Sequence, residues 1–540
     1  MSAAWLRRKV WPLAALVAVA GCRPSAEPSG TSPTVDDTPL RAATEVPASP
    51  PPPPVATGDG KTGQPRRRVR PPFDPLRDNG PVFEGWPAPK LAIVITGRQD
   101  GYLEPCGCAG LDRMRGGLSR RQTMIESLRK RGWPLVVLDA GGLSKRVGPQ
   151  ALLKFRVALE AMAEMGYDAI GLGTSELRFP AADLVNPIAG EEGRDGRFVS
   201  ANVGLFGLSA QLTPRKRIVE AAEMKVGVTS ILGKKYQREI HNPDVELTDP
   251  EAALEPLVAE LRPACDLMIL LAHATQEESL ALARRFPAWD VVVTTDGPPV
   301  PPAEPLLIDG GSRLLIQVGE RVKDAVVLGV YDKPASKLRY QRVPLDARFP
   351  VAATAKARMA GHQAELRQLG LDGLGVRPVP HPRRELQGDF VGTKKCAECH
   401  AESHDVWQRS GHARATRTLV ELDPPRQFDP ECLACHVTGW HPAGFLPYES
   451  GYLSPEATPA LATVGCESCH GPGGGHAAAE EGADEALQQQ LRQAVVLTKD
   501  EAKRRTCAAC HGVSNSPDFD FDAYWPDVAH TEKENPRAED

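Results

Sequence analysis

No stretch of this 540-residue chain is apolar for long enough to cross a bilayer as a helix: the longest run, Val10 to Gly21, falls short of the ~20 residues a span requires. No transmembrane helix is expected. Nor is there an excess of positive charge. Lys and Arg number 64 against 69 Asp and Glu, a net charge of -5, which argues against a nucleic-acid binder held by a basic field. Methionine is scarce, eight in all and the last at Met359, so the C-terminal part of the chain has no thioether with which to ligate a metal. What the chain does have is length for roughly three to four domains of ~150 residues, and 51 prolines and 49 glycines that point to globular parts joined by irregular segments.

Residues 1–22 have the anatomy of an export signal: basic Arg7-Arg8-Lys9, apolar Val10–Ala20, then Gly21-Cys22. The sequence Val19-Ala20-Gly21-Cys22 resembles the bacterial lipobox, which implies a diacylglyceryl anchor on Cys22 and a place in the periplasm or cell envelope, tied to a membrane. An ordinary signal peptide that contains a cysteine is the plainer alternative. Residues 23–88 follow with Pro, Ser, Thr and Ala, the run Pro50–Pro54 and no apolar period, the composition of an extended, solvated tether.

Cysteine then decides the second half. Eight of the twelve fall in four Cys-x-x-Cys-His motifs: Cys396, Cys399 and His400; Cys432, Cys435 and His436; Cys466, Cys469 and His470; Cys507, Cys510 and His511. This is the c-type haem attachment signature, in which two thioethers hold the porphyrin and the adjacent histidine ligates the iron. A zinc module would not need a histidine after every pair. The first cysteines stand at 396, 432, 466 and 507, intervals of 36, 34 and 41 residues, each too short for an apolar core of its own. Four covalent haems are therefore expected to serve as the core of residues 389–540 and, spaced so closely, to pass electrons among themselves and to redox partner proteins.

The flanks Phe390-Val391-Gly392-Thr393-Lys394-Lys395, Trp407-Gln408-Arg409-Ser410-Gly411-His412, Val464-Gly465 with Gly471-Pro472-Gly473, and Phe521-Asp522-Ala523-Tyr524-Trp525-Pro526 resemble the tetrahaem cytochrome family that includes the electron acceptor of hydroxylamine oxidoreductase. The resemblance covers residues 389–531. It implies distal ligands from histidines outside the motifs and, in some members, one haem left open for small-molecule chemistry. By resemblance His412, His476 and His530 are the favoured distal ligands, with His404 and His441 as weaker candidates.

Between residues 89 and 348 apolar runs of strand length alternate with helical patterns, the mark of an α/β domain. Strands are expected at Leu91–Thr96, Leu135–Asp139, Asp168–Gly171, Phe198–Asn202, Val226–Ile231, Asp266–Ala272 and Asp290–Thr295, with helices such as Ser119–Arg131 and Ala151–Met165. A helical connector, residues 349–388, would lead to the haem domain. The segments 96–105, 138–143, 167–176, 201–203, 270–274 and 289–293 are similar, in order, to motifs of the calcineurin-like metallophosphatases in their 5'-nucleotidase branch. That resemblance implies a layered α/β sandwich, but the family's metal ligands do not carry over. Arg98 and Asp100 stand in the first motif, Gly142 in the second, Thr174-Ser175 in the third, Asp296 and Pro298 in the last; only His273 keeps its register. A guanidinium at a ligand position repels the ions that two-metal phosphoryl chemistry needs.

Setting aside Cys22 and the eight haem cysteines leaves Cys106, Cys108 and Cys265. Cys106 and Cys108, one residue apart near the degenerate cleft of Asp100 and His273, could bind a soft metal, form a redox-active disulfide, make a static one, or stand as an idle pair. Cys265 reads as a buried structural residue. The expected whole is an exported, lipid-anchored tetrahaem cytochrome whose metallophosphatase-like domain is a docking or scaffold module. Its rivals are an oxidoreductase acting on a small nitrogen or oxygen compound at an open haem, and a surviving metal-dependent phosphoesterase.

Overall fold

The computed structural model describes residues 71–107, 110–189, 196–207, 213–311, 313–332, 338–512 and 515–530. Cys22, the signal anatomy, most of the tether and Cys108 lie outside the described residues. The chain divides into Met1–Gln64 and Pro65–Asp540, and every described residue belongs to the second unit.

The N-terminal part of that unit holds two sheets. One has five strands in the order Leu338–Pro344, Asp324–Val330, Leu91–Thr96, Leu135–Asp139 and Ala169–Ile170; the other has six, Leu306–Ile308, Arg313–Gln317, Val291–Thr294, Leu267–His273, Met224–Leu232 and Arg217–Ala221. In the first sheet Leu91–Thr96, Leu135–Asp139 and Ala169–Ile170 run parallel, while Asp324–Val330 and Leu338–Pro344 each pair antiparallel on the other side; in the second, four parallel central strands lie between antiparallel edges. Side-chain alternation shows how they stack. Leu91, Ile93 and Ile95 pack with Val226, Val228, Ile269, Leu271, Val291 and Val293 in a layer between the sheets. Ala92 and Val94 face the opposite way, onto Met124, Ile125, Leu128, Phe155 and Met162 of helices Leu118–Lys130 and Pro149–Met165. On the far side Met268, Leu270 and Ala272 meet Leu254, Leu257 and Leu282 of helices Pro250–Leu261 and Gln276–Arg285. Four layers, helix–sheet–sheet–helix, follow from strands buried on both faces.

The expected strand Phe198–Asn202 is not one. Its backbone bonds are split: Val199 N–H donates to Ile170 O, Ser200 N–H to Pro214 O and Ala201 N–H to Ser230 O. The segment passes from one sheet to the other, so it pairs with neither over its length.

Helix Ala353–Gly373 lies within the expected connector. It sets Met359 against the first helical layer and Leu366, with Leu374 beyond it, into a further cluster shared with Leu419, Leu433, Val437, Trp440 and Tyr452. Thereafter the chain is short helices and turns with one small hairpin, Trp440–His441 with Leu446–Pro447. Among the described residues, none beyond Ala462 enters any apolar cluster. Nearly seventy residues that hold four of the motif cysteines thus lack a side-chain core of their own, in keeping with the expectation that a macrocycle fills that place.

Candidate haem sites and the cleft beside them

Each attachment motif sits on a turn or short stretch of helix, which puts the two cysteines three residues apart on one face. The second is the most regular. Asp429 caps helix Pro430–His436 by accepting from Glu431 N–H at 2.9 Å, with Pro430 in the first turn. Two of the motif histidines are then held by their other nitrogen. His436 Nδ1 donates to Ala415 O at 2.6 Å and His470 Nδ1 to Val495 O at 2.7 Å. Outside the motifs His530 Nδ1 donates to Val528 O at 3.0 Å. A carbonyl can only accept, so Nδ1 carries the proton and Nε2 is left as the donor atom for a metal. Burial also lowers the pKa of His412, His436, His470 and His476, keeping the imidazoles in their ligating form.

Three pairs of rings stand out. His400 faces His476 with centroids 6.3 Å apart, His511 faces His412 at 6.1 Å, and His470 faces His530 at 5.8 Å. Two metal–nitrogen bonds of about 2 Å, plus about 1 Å from each nitrogen to its ring centre, make about 6 Å, the spacing of two imidazoles on one iron. The donor set therefore fits the group that the motifs call for. Each pair joins one motif histidine to one of the three favoured distal residues.

His436 has no such companion. All thirteen histidines of the chain are among the described residues, and none pairs its ring with that of His436. His404 packs against Trp407, with ring centroids 5.2 Å apart and the planes tilted by 43°. His441 is exposed, and its Nδ1 accepts from Gly444 N–H at 2.8 Å in the hairpin turn. Neither faces a motif histidine. The motifs also meet one another: Cys396 contacts Cys466 and Cys435 contacts Cys510, while Cys469 and Cys507 are neighbours. The order of contact is first, third, fourth, second.

The loops at the carboxyl ends of the parallel strands enclose a cavity of about 280 Å³, lined among others by Arg98, Asp100, Gly142, Thr174, His273 and Asp296. All the degenerate ligand positions named from the sequence except Pro298 are brought together here. Arg98 Nη2 donates to Glu320 Oε1 at 2.9 Å and Nη1 to Gly297 O at 3.1 Å, so the guanidinium is tied in place. Gly142 has φ +79°, and a side chain there would meet the Arg98 backbone at 3.3 Å. His273 Nε2 lies 3.3 Å from Thr174 Oγ1, and burial first, then Arg98, lowers its pKa to about 4. Among the described residues no group of three or more His, Cys, Asp or Glu is arranged to hold a metal ion. Two carboxylates that sequence reasoning passed over shape this region. Asp139 accepts from Thr96 Oγ1 and from Gly141 N–H at 2.8 Å, and Glu176, with a pKa pushed up to about 7 by burial, accepts from Leu143 N–H and from Ser144 N–H at 3.0 Å.

Cys106, expected near this cleft, does not line it. The Glu104 carboxylate anchors the loop by accepting from Ser119 N–H at 2.8 Å, and Arg426 Nη1 draws the tip away by donating to Pro105 O at 2.8 Å and Cys106 O at 3.2 Å. The thiol instead lies 3.5 Å from Asn515 Oδ1, beside the haem motifs.

Fold and motifs together define a multihaem c-type cytochrome region joined to a metallophosphatase-like α/β domain. Residues 395–471 match the family described as "Cytochrome c554 and c-prime". Cytochrome c-554 of Nitrosomonas europaea is 32% identical over 142 residues, 23% of this chain and 57% of that protein. The N-terminal region is similar to 5'-nucleotidase of Bos taurus, 27% identical over 38% of each chain. It also resembles the solved structure of a 5'-nucleotidase precursor from Thermus thermophilus, with a TM-score of 0.44 and 21% identity over 52% of this chain and 59% of that one. The chain thus spans little more than half of the cytochrome relative and well under half of the curated nucleotidase.

Proposed function

We propose that the protein is an exported, lipid-anchored electron-transfer cytochrome carrying four c-type haems, with the metallophosphatase-like domain as a hydrolytically silent docking or scaffold module. The observation that carries this reading is the set of three histidine pairs at 5.8 to 6.3 Å, each built on a different attachment motif. Haem iron, when attached, supplies one-electron chemistry; the chain supplies thioether anchors, neutral imidazoles whose Nε2 is left to ligate at His436, His470 and His530, and close contact between motifs. Electrons would pass along the contact order of the motifs, from the first through the third and fourth to the second, and be exchanged with a redox partner protein.

A second reading has its own support. His436 alone lacks a facing histidine, so the second motif is where an oxidoreductase site for a small nitrogen or oxygen compound would lie. One experiment tests both. EPR and optical spectra of the purified holoprotein, with and without carbon monoxide, should give three low-spin bis-histidine haems and one high-spin haem that alone shifts with the gas. Four low-spin haems that ignore it would remove the second reading; fewer than four haems by mass would remove the first. For the silent cleft, turnover of a nucleotide with stoichiometric binding of two Mn²⁺ or Zn²⁺ ions would restore the phosphoesterase.

A further inference from the structure

The cavity of about 280 Å³ at the carboxyl ends of the parallel strands has no metal-holding group among the described residues, yet its walls carry polar atoms with nothing to bond. Arg178 lines it with a guanidinium that makes no ion pair or hydrogen bond among the described residues. The hydroxyls of Ser175 and Thr295 are likewise without a partner there, although Thr295 is only 4% exposed. His273 Nδ1 is buried with no hydrogen-bond partner among the described residues. Polar groups held from water without partners cost free energy, and a ligand that pairs with them removes that cost. The walls are also strained. Arg98 and Asp100 have φ of +53° and +55°; Arg321 and Val322, on the loop clasped to them by Arg321 N–H donating to Arg98 O at 2.7 Å, have +57° and +40°. A β-branched residue rarely adopts such a φ, and strain of this kind gathers where ligands are clamped.

The charges choose among ligands. Arg98 and Arg178 face the cavity together with Asp100, Asp296 and Glu239. A simple anion would meet three carboxylates, a simple cation two guanidinium groups, and a neutral sugar would leave both sets unpaired. A small ligand that bears both charges satisfies both. Part of each set is already committed: Arg98 holds Glu320 and Gly297 O, and Asp296 Oδ2 accepts from Gln276 N–H at 2.9 Å. Arg178 is not, and burial, against the pull of Arg98, raises the pKa of Asp100, whose carboxylate an ammonium group would stabilise. Small-molecule sites run from about 300 to 1,000 Å³, so this cavity suits a ligand smaller than a nucleotide.

We propose that the cleft binds one free α-amino acid without a metal ion, its carboxylate on Arg178 and Arg98 and its ammonium on Asp100 and Asp296. This rests on the reading of the cleft as hydrolytically silent. A planar guanidinium takes a carboxylate through two parallel hydrogen bonds, and the three N–H bonds of an ammonium group suit the two carboxylates and the Thr295 hydroxyl. No covalent bond is made or broken; the site holds its ligand and releases it.

The test is isothermal titration calorimetry of the full-length holoprotein with each standard L-amino acid in turn, in the presence of EDTA. At least one amino acid is expected to bind at a single site per chain. Arg178→Gln and Asp100→Asn, the second able to keep the positive φ, should each weaken that binding by about tenfold or more, the loss of a charge-assisted hydrogen bond, with haem content unchanged. The same amino acid stripped of its ammonium group, or of its carboxylate, should lose about tenfold or more as well. No saturable binding by any amino acid up to about 10 mM, binding that either variant leaves unchanged, or a stripped analogue that binds as tightly as the whole, overturns the proposal and leaves the silent cleft intact. Turnover of a nucleotide with two bound Mn²⁺ ions, in a parallel assay without EDTA, overturns the reading beneath it. Should a variant fail to mature, hydrogen exchange in the unmodified protein decides: the bound amino acid must slow the amides of residues 98–101 and 174–176, and no slowing there overturns the proposal.

Discussion

Glu467, between the two cysteines of the third motif, is 4% exposed, yet its carboxylate holds three separate backbone positions. It accepts from Val391 N–H at 3.0 Å, from Gly392 N–H at 2.7 Å and from Gly473 N–H at 2.7 Å. The first two precede the first motif, and the third belongs to the turn after the third, so one side chain clamps together the segments of two haem sites. Hydrogen bonds to a charged acceptor contribute roughly 1.5–3 kcal/mol each, and an amide left buried and unpaired costs about 1–3 kcal/mol. Three such bonds do not add in full, because they share one acceptor and can relax together. Glu467→Ala is expected to destabilise this part of the protein by about 4 kcal/mol. Glu467→Gln keeps one accepting oxygen but turns an N–H₂ toward an amide, and should cost about 2 kcal/mol. A protein of several cores need not unfold in one step, so the readout must be local. Native-state hydrogen exchange of the Val391 and Gly392 amides should speed up on the order of 10² to 10³-fold in Glu467→Ala, with haem content by mass unchanged. A change below about 1 kcal/mol, or equal effects of both substitutions, would refute the clamp.

Three further outcomes are expected. Replacing His412, His476 or His530 singly by Ala should turn one haem high-spin in EPR with all haems still attached by mass; unchanged low-spin signals in all three would reject the ring pairing as ligation. His362 is buried at 2% exposure among Lys154, Arg426 and Asp429, and burial lowers its pKa from 6.5 to about 4. A depressed value gives stability that is present above pH 6.5 and lost as pH falls toward 4, about 3 kcal/mol at most. His362→Leu should flatten acid denaturation over that window, and an identical pH profile in wild type and variant would discard the argument. Cys22→Ser should move the protein from the detergent phase to the aqueous phase in phase separation, and no movement would dismiss the anchor.

Much of the sandwich was legible because its central strands are buried on both faces. Leu91–Thr96 and Leu135–Asp139 are apolar runs closed by one polar residue each, and the observed strands have those bounds. Three edge strands escaped notice, and so did the interior strands Arg313–Gln317 and Asp324–Val330. Arg217–Ala221 and Leu338–Pro344 are only half-buried, and Leu306–Ile308 exposes two of its three residues, so none shows a clear period. In the haem region the attachment residues are local in sequence and could be read directly. Which histidine faces which motif is not local: His412 follows the first motif but pairs with the fourth, and His476 follows the third but pairs with the first. Nor could spacing show that Cys106 would leave the cleft, since that depends on Arg426, 320 residues further along.

The two regions are joined by more than a connector, and the joining uses the loops on which a metallophosphatase would mount its ligands. The first of these loops carries Arg98 at one end and reaches the second and fourth motifs with Cys106 at the other. The second runs from Gly142 past Ser144, whose hydroxyl donates to Arg146 O at 2.8 Å, to the Arg146 side chain. That guanidinium lies 3.7 Å above the Phe445 ring and donates to Ala443 O at 3.1 Å. Behind it, Lys154 pairs with Glu431 at 2.6 Å and Gln150 Nε2 donates to Asp429 Oδ1 at 2.8 Å, both at the start of the helix that bears the second motif. A cation over an aromatic ring is worth roughly 0.5–2 kcal/mol, and a pair at low exposure loses less to screening than one in open solvent. These contacts converge on the one attachment helix whose histidine has no facing partner. A scaffold built only to display a cytochrome could grip it anywhere; this one grips the segment of the second motif, at Asp429, Glu431, Ala443 and Phe445.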